Sequence, residues 1–305
     1  MFDIIGKRFR FFTISGIVIL ICVIALSSLG LKAGIEFNSG SQLTLGFDNQ
    51  VEASEIRQEL ADLGYSSTIV QTTGGGDVLI RTPVLNTEEK EQLKTDLASR
   101  FGTLTEKGFV KVDPITASQT VNIAAIAVAV AAVGIMLYVT WAFRRMPKPF
   151  RYGTCAIVAL LHDTLIALGI FSILGGVLRW EINLMFITGI LAVIGYSVNN
   201  TVVIFDRIRE NLTRSESSDF KAIVNNSLVE SLTRSVNTSL TTIIVVLALL
   251  LFVGSTIQNF SVVLLIGIVA GTFSSLFIAP SLLVVWESSE WRRFVQWLPL
   301  LKNKQ

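Results

Sequence analysis

Gly195-Tyr196-Ser197-Val198-Asn199-Asn200-Thr201-Val202-Val203-Ile204-Phe205-Asp206-Arg207-Ile208-Arg209-Glu210-Asn211 is the stretch on which the reading of this chain turns. It closes an apolar segment, sets two amides and a hydroxyl side by side at Asn199, Asn200 and Thr201, and runs without a break into charge. This is the pattern of a membrane-spanning helix reaching the edge of the bilayer. Amides are costly in hydrocarbon, so such groups face protein or water and often mark a transport path.

The rest of the chain supports a multi-span membrane protein. Hydrophobic residues make up 51% of 305 and charged residues only 16%, where a soluble domain carries about 25% charge. Mean hydropathy is +0.62. Stretches of about 18 or more mostly apolar residues are spanning candidates. Six occur, at 11–31, 119–143, 152–174, 183–205, 236–254 and 259–286.

Charge sets the expected orientation. Sixteen of the 25 Lys and Arg fall at one set of helix ends: Lys7, Arg8 and Arg10; Arg144, Arg145, Lys148 and Arg151; Arg207, Arg209, Arg214, Lys221 and Arg234; Arg292, Arg293, Lys302 and Lys304. The short loops on the other side hold only Arg179. The positive-inside rule then puts both termini in the cytoplasm, and an even number of spans agrees. The first span is not read as a cleaved signal peptide, because no clean small-x-small site follows it. Cys22 and Cys155 both fall in spans and read as free thiols, which excludes a disulfide framework.

Four regions follow: a cytoplasmic start with the first span over 1–31, an outer domain over 32–118, spans two to six over 119–286, and a cytoplasmic tail over 287–305. Residues 206–235 are expected to form a cytoplasmic amphipathic segment at the membrane surface, with Phe220, Ile223, Val224, Leu228, Ser231 and Leu232 near one stripe. In the outer stretch, eight Lys and Arg against thirteen Asp and Glu give a net −5.

Its pattern predicts strands at 42–47, 68–71, 78–81 and 109–112, and helices at 53–63 and 87–101, the second capped by Thr87. That order, βαββαβ, is the ferredoxin-like split unit. The expected core is Leu43, Leu45, Ile56, Leu60, Val70, Leu79, Leu93, Leu97 and Val110. The glycine run 74–76 reads as a hairpin turn, since no helix start or Lys follows to hold phosphate.

No enzyme constellation is visible. The chain has one His and no CxxC, Walker A motif, nucleophile elbow or dinucleotide fingerprint, and no cofactor or metal is expected. What remains are polar groups inside apolar spans. His162-Asp163 sits near the middle of span three, where His can shuttle protons; a structural polar pair is the alternative. Asn199-Asn200-Thr201, with Ser197 just before, can hydrogen-bond between helices but cannot relay a proton through an amide. Arg234, Asn237 and Thr238 share one side of a helix at the start of span five. Arg234 either snorkels to the interface or faces a carboxylate across the bundle. Gly267, Gly271, Ser274 and Ser275 give span six a small-residue face suited to close packing.

The opening stretch also resembles, nearly residue for residue, the fourth-span signature of the SecF family, subunits of the bacterial SecDF protein-export complex. Gly34-Ile35-Glu36-Phe37-Asn38-Ser39-Gly40 looks like the family element after span one, with Glu for Asp and Ser for the first Gly of a pair. Ala159-Leu160-Leu161-His162-Asp163 resembles the span-three element, and Arg234-Ser235-Val236-Asn237-Thr238-Ser239 the start of span five. The one conspicuous departure is Asn200, where the family has Asp.

The resemblance implies a half bundle of RND-transporter type with a ferredoxin-like outer domain in the bacterial inner membrane. It implies SecD as a pseudo-symmetric second half, the SecYEG channel and YajC as further partners, and an unfolded translocating chain as cargo. No nucleic acid is expected. Protons are the implied coupling ion, through the span-four Asp, the span-five Arg and an Asp of SecD. Arg234 matches that set; Asn200 keeps the shape of the Asp and removes its titration. A scaffold subunit without proton chemistry, and an RND-type small-molecule exporter subunit, are the other function classes.

Overall fold

A computed structural model describes residues 3–49, 51–66, 68–73, 75–214, 219–252 and 257–288. Gly74 of the expected hairpin turn and the expected tail beyond Ser288 lie outside these residues.

Six helices are long and apolar enough to cross a membrane among the described residues. They are α1 (Arg8–Leu29, preceded by a 3-10 turn Ile5–Lys7), α5 (Pro114–Ala142), α6 (Pro149–Leu178), α7 (Leu184–Arg214), α8 (Phe220–Phe252), and a last span in three parts. That last span runs α9 (Gln258–Phe273), a π-helical turn at Ser274–Ile278, and α10 (Ala279–Glu287). Its backbone stays helical throughout, and the Ala279 N–H bonds the Ser274 carbonyl five residues back.

The six are not equivalent. Half of the most apolar stretch of α6 and α7 and 56% of that of α9–α10 is buried, against 17% for α1 and α8 and 6% for α5. The three inner helices therefore make the core, and α1, α5 and α8 present Ile17, Leu20, Ile123, Val130, Ile244 and Leu251 outward. Apolar side chains turned out all along a helix fit a lipid solvent.

The expected surface helix within 206–235 does not form separately. α7 continues to Arg214 and α8 begins at Phe220, so the two helices extend past the apolar zone and pack on each other. Ile223, Val224 and Leu228 are buried in that contact, with Asn211 Nδ2 donating to Ser227 Oγ at 3.0 Å. Burial against a neighbouring helix satisfies the apolar stripe that the sequence suggested would lie on lipid.

Between α1 and α5 lies the inserted unit. After a short helix α2 (Ile35–Asn38) it runs β1 (Gly40–Phe47), α3 (Ala53–Asp62), β2 (Ile69–Thr72), β3 (Val78–Thr82), α4 (Thr87–Phe101) and β4 (Leu104–Val112). The sheet order is β2-β3-β1-β4, with all pairs antiparallel. Leu43, Leu45, Ile56, Leu60, Val70, Leu93 and Leu97 form its core as expected.

Two strand positions differ. Val78 and Ile80 fill the core in place of Leu79, because side chains alternate and β3 turns those two toward the helices. Val110 is half exposed, and Phe109 packs inward instead; β1–β4 pairing shifts register between Thr44 and Leu45. The cap of α4 is Asn86, not Thr87. Asn86 Oδ1 accepts from Glu89 N at 2.8 Å while Glu89 Oε2 accepts from Asn86 N at 2.7 Å, a reciprocal capping box.

The loop from Arg179 to Asn183, between α6 and α7, fastens the unit to the bundle. Ile182 N donates to Lys32 O and Gly34 N to Ile182 O, both at 2.8 Å. Arg81 of β3 pairs with Glu181, which is 5% exposed, and Arg81 Nε also donates to Gln42 at 2.9 Å. Gln71 of β2 reaches the Arg179 carbonyl at 3.1 Å, and Asn259 of α9 the Glu181 carbonyl at 2.8 Å.

Candidate functional site

Close helix approach builds the site. A Cβ on Gly267 would sit 2.0 Å from Val193, and one on Gly271 3.0 Å from Ser197. Glycine at these two positions lets α9 lie directly on α7, and that contact brings Ser197 and the π turn up to α6.

At the meeting point is Asp163 of α6, 1% exposed. Its Oδ2 accepts from Ser197 Oγ at 2.5 Å and from Ser274 Oγ at 2.8 Å. Its Oδ1 lies 2.8 Å from His162 Nδ1. Three donors from three elements thus converge on one carboxylate, which accepts without donating when ionised. His162 is 4% exposed, and its ring lies nearly parallel to Phe273 with centroids 6.4 Å apart. The Nε2 atom of His162 has no hydrogen-bond partner among the described residues. With Nδ1 directed at Asp163, Nε2 is the atom left to take or give a proton.

Asn200 belongs to a second buried cluster. Its Nδ2 donates to Ser239 Oγ of α8 at 3.3 Å. Tyr196 OH and Thr272 Oγ1 reach the same oxygen at 3.1 and 2.6 Å. Thr201 and Ser275 extend the Asp163 cluster: their hydroxyls lie 2.8 Å apart, and each bonds the Ser197 carbonyl at 3.2 Å.

The structure does not bring Arg234 to Asn200. Arg234, Asn237 and Thr238 lie exposed on the outer side of α8, and Asn199 lies exposed on α7. Arg234 makes no ion pair among the described residues. Thr238 Oγ1 folds back on the Arg234 carbonyl at 2.9 Å. The α7–α8 contact runs instead through Ser239, four residues and one helical turn beyond Ser235 on the buried side of α8. The charged end of the opening stretch is an ion-pair network: Arg207 with Glu210 and Glu230, and Arg214 with Glu210.

Ser274, Ser275, Ser239, Tyr196 and Thr272 are site residues that sequence reading passed over or treated as packing. The available signal was Ser274-Ser275 five residues before Pro280, a hydroxyl pair beside a residue that cannot donate to a helix. No group of three or more His, Cys, Asp or Glu that could hold a metal ion occurs among the described residues.

Comparison with known proteins bears on this geometry. Residues 92–289 match the family model described as protein export membrane protein SecD/SecF, C-terminal. The chain is 43% identical to the protein translocase subunit SecF of Thermobaculum terrenum, covering 96% of each chain. It is 33% identical to the protein translocase subunit SecDF of Bacillus subtilis, covering 95% of this chain and 39% of that one. The crystal structure of SecDF, a translocon-associated membrane protein from Thermus thermophilus, superposes with a TM-score of 0.84 at 30% identity, over 94% of this chain and 39% of that one.

Proposed function

The chain belongs to the SecD/SecF family of protein-export membrane proteins, and on that premise we propose that it is a SecF-type subunit which uses the proton-motive force to help draw exported chains outward through SecYEG. It is an integral inner-membrane protein and a translocase subunit. The reading places both termini in the cytoplasm and the inserted unit, of ferredoxin-like strand order, on the outer side. It gives the subunit an accessory role without an enzymatic step of its own.

SecD is the proposed membrane partner. The SecDF chains to which this one is similar are more than twice the length it covers. Asn199, Arg234, Asn237 and Thr238 form an outward polar face that lipid cannot satisfy. A pseudo-symmetric half with its own spans would cover it. YajC and the translocating chain belong to the same proposal.

The observation that carries proton coupling is the buried His162–Asp163 pair. Asn200 cannot titrate, and Arg234 is turned away from it in this arrangement. His162 and Asp163 are the ionisable pair enclosed by the bundle, with a free imidazole nitrogen at one end. Asp163→Ala in the reconstituted complex with its partner half should abolish the response of export to a proton gradient while leaving gradient-independent export. An undiminished response would overturn the assignment. Asn200 favours one rival, a scaffold subunit without proton chemistry, and an undiminished response in both Asp163→Ala and Arg234→Ala is what that reading predicts.

A further inference from the structure

The turn between α5 and α6 is pinned from its buried side. Phe143 and Met146 are both buried, and Met146 N donates to the Phe143 carbonyl at 2.9 Å. The Phe143 ring stacks on Tyr152 of α6, with centroids 5.2 Å apart. The two residues between these anchors, Arg144 and Arg145, are thereby held exposed. The Arg144 guanidinium lies over the Trp141 ring, 4.3 Å from its centroid, and donates to the Trp141 carbonyl at 3.3 Å. That cation–π contact fixes where the cation sits.

The neighbouring cations are already paired. Arg151 and Lys148 meet Glu287 of α10, and Arg209 of α7 meets Asp206. Arg144 and Arg145 have no ion pair among the described residues. The sequence supplies no carboxylate beside them: α5 and the turn 143–148 contain neither Asp nor Glu. Residues 289–305 hold Glu290 against four Lys and Arg. The chain's own tail therefore has the wrong charge to neutralise the pair.

We propose that Arg144 and Arg145 hold the headgroup phosphate of an anionic phospholipid whose acyl chains lie along α5. Of the six spans α5 is the least buried. Val130, Val133, Leu137 and Trp141 are all exposed at spacings of three and four, so they form one apolar stripe. The stripe ends at the ring that carries Arg144. From Val130 to Trp141 the helix rises about 16 Å, roughly half the hydrocarbon core, which is the depth of one leaflet. Exposed Tyr138 and Trp141 are residues that favour the bilayer interface. A guanidinium presents paired N–H donors that match two phosphate oxygens. A headgroup with no ammonium of its own leaves its phosphate charge for the pair to neutralise. An acidic protein would match the charge but not the stripe below it.

The positive-inside rule treats the cations at these helix ends alike, whereas this site separates them. Lys7 and Arg10 at the start of α1 are also exposed. Neither rests on an aromatic ring among the described residues, and both lie away from the α5 stripe. Removing those two charges is the matched control for removing Arg144 and Arg145. The site does not depend on where a proton binds in the bundle.

The test is native mass spectrometry of the purified full chain, titrated with dioleoylphosphatidylglycerol or dioleoylphosphatidylcholine. The parent should bind its first phosphatidylglycerol more tightly than phosphatidylcholine. The double variant Arg144→Gln, Arg145→Gln should lose about 30-fold in phosphatidylglycerol affinity. Both arginines are exposed and the anchors Phe143 and Met146 stay in place, so this variant should fold as the parent does. Lys7→Gln, Arg10→Gln should leave the affinity nearly unchanged. Trp141→Leu, which keeps the stripe and removes the ring under Arg144, should weaken it about threefold. An equal loss in the two double variants would reduce the pair to general surface charge and overturn the site. Undiminished phosphatidylglycerol binding in Arg144→Gln, Arg145→Gln would overturn it too. A parent that shows no preference between the lipids yet binds polyglutamate would assign the pair to an acidic protein, against this proposal.

Discussion

Two polar sets occur in the membrane helices of this chain, and they face opposite ways. His162, Asp163, Ser197, Asn200 and Ser239 point inward, buried and hydrogen-bonded to one another's helices. Asn199, Arg234, Asn237 and Thr238 point outward and have no side-chain partner among the described residues. Both sets are equally polar as sequence, yet only the first is a finished site. An intramembrane group satisfied within its own chain speaks of that chain's chemistry, and one left open speaks of a partner.

The largest expected effect is at the centre of the inner set. Asp163→Ala leaves the Ser197 hydroxyl and His162 Nδ1 without their acceptor, while the Ser274 hydroxyl keeps the Gly271 carbonyl. Unsatisfied buried donors cost about 1–3 kcal/mol each, so a fall in thermal stability of the purified chain should accompany the loss of gradient response. An Asp163→Ala chain as stable as the parent would show that the Ser197 hydroxyl and His162 Nδ1 do not depend on the carboxylate.

The Arg81–Glu181 pair extends the comparison to the inserted unit, where a charge pair is also buried within the chain. Removing one partner of a buried ion pair costs about 3–5 kcal/mol, and Arg81→Ala should loosen the junction by that order, read by hydrogen exchange at Ile182. Glu181→Gln should be much milder. Burial pushes the Glu181 carboxyl above its ordinary value, with Arg81 opposing and Glu36 adding to the rise. A raised folded-state value means that the junction is favoured by protonation. That contribution is full below the ordinary glutamate range and is lost as pH rises through the raised value. The parent should therefore gain on Glu181→Gln in junction stability as pH falls. A parent that loses ground on acidification would contradict the sign.

The outer set should behave differently. Arg234→Ala should leave the isolated chain within about 0.5 kcal/mol of the parent, yet weaken association with the partner half by about 1 kcal/mol, measured as dissociation in mild detergent. A destabilised isolated chain would return Arg234 to the inner set.

The smallest effect is expected at Asn200. An Asp there would meet the hydroxyls of Ser239, Tyr196 and Thr272, which can donate as readily as accept. Asn200→Asp should raise gradient dependence modestly, and Ser239→Ala should remove the gain. Removal by Arg234→Ala instead would mean that α8 turns during the cycle to bring the cation inward.

Much of this was legible in the sequence, for identifiable reasons. Apolar run length gave the six spans, and alternation gave the strand–helix order of the inserted unit. His162-Asp163 stood out because a carboxylate in mid-span is costly and rare. The facing of Arg234 was not legible: a spacing of three and four places residues on one side of a helix without saying which side is buried. The role of Ser274 was hidden because a π turn shifts the helical phase by one residue, and a regular 3.6-residue count cannot see it. Leu79 and Val110 failed on the same ground, since strand alternation leaves the choice of face open by one residue.

The central claim is that the proton chemistry of this chain belongs to Asp163. Difference infrared spectroscopy of the reconstituted complex, recorded between neutral and acidic pH, tests it directly. The account predicts a protonated-carboxyl band that appears on acidification in the parent and is missing in Asp163→Asn. The same band, undiminished in Asp163→Asn, would contradict it.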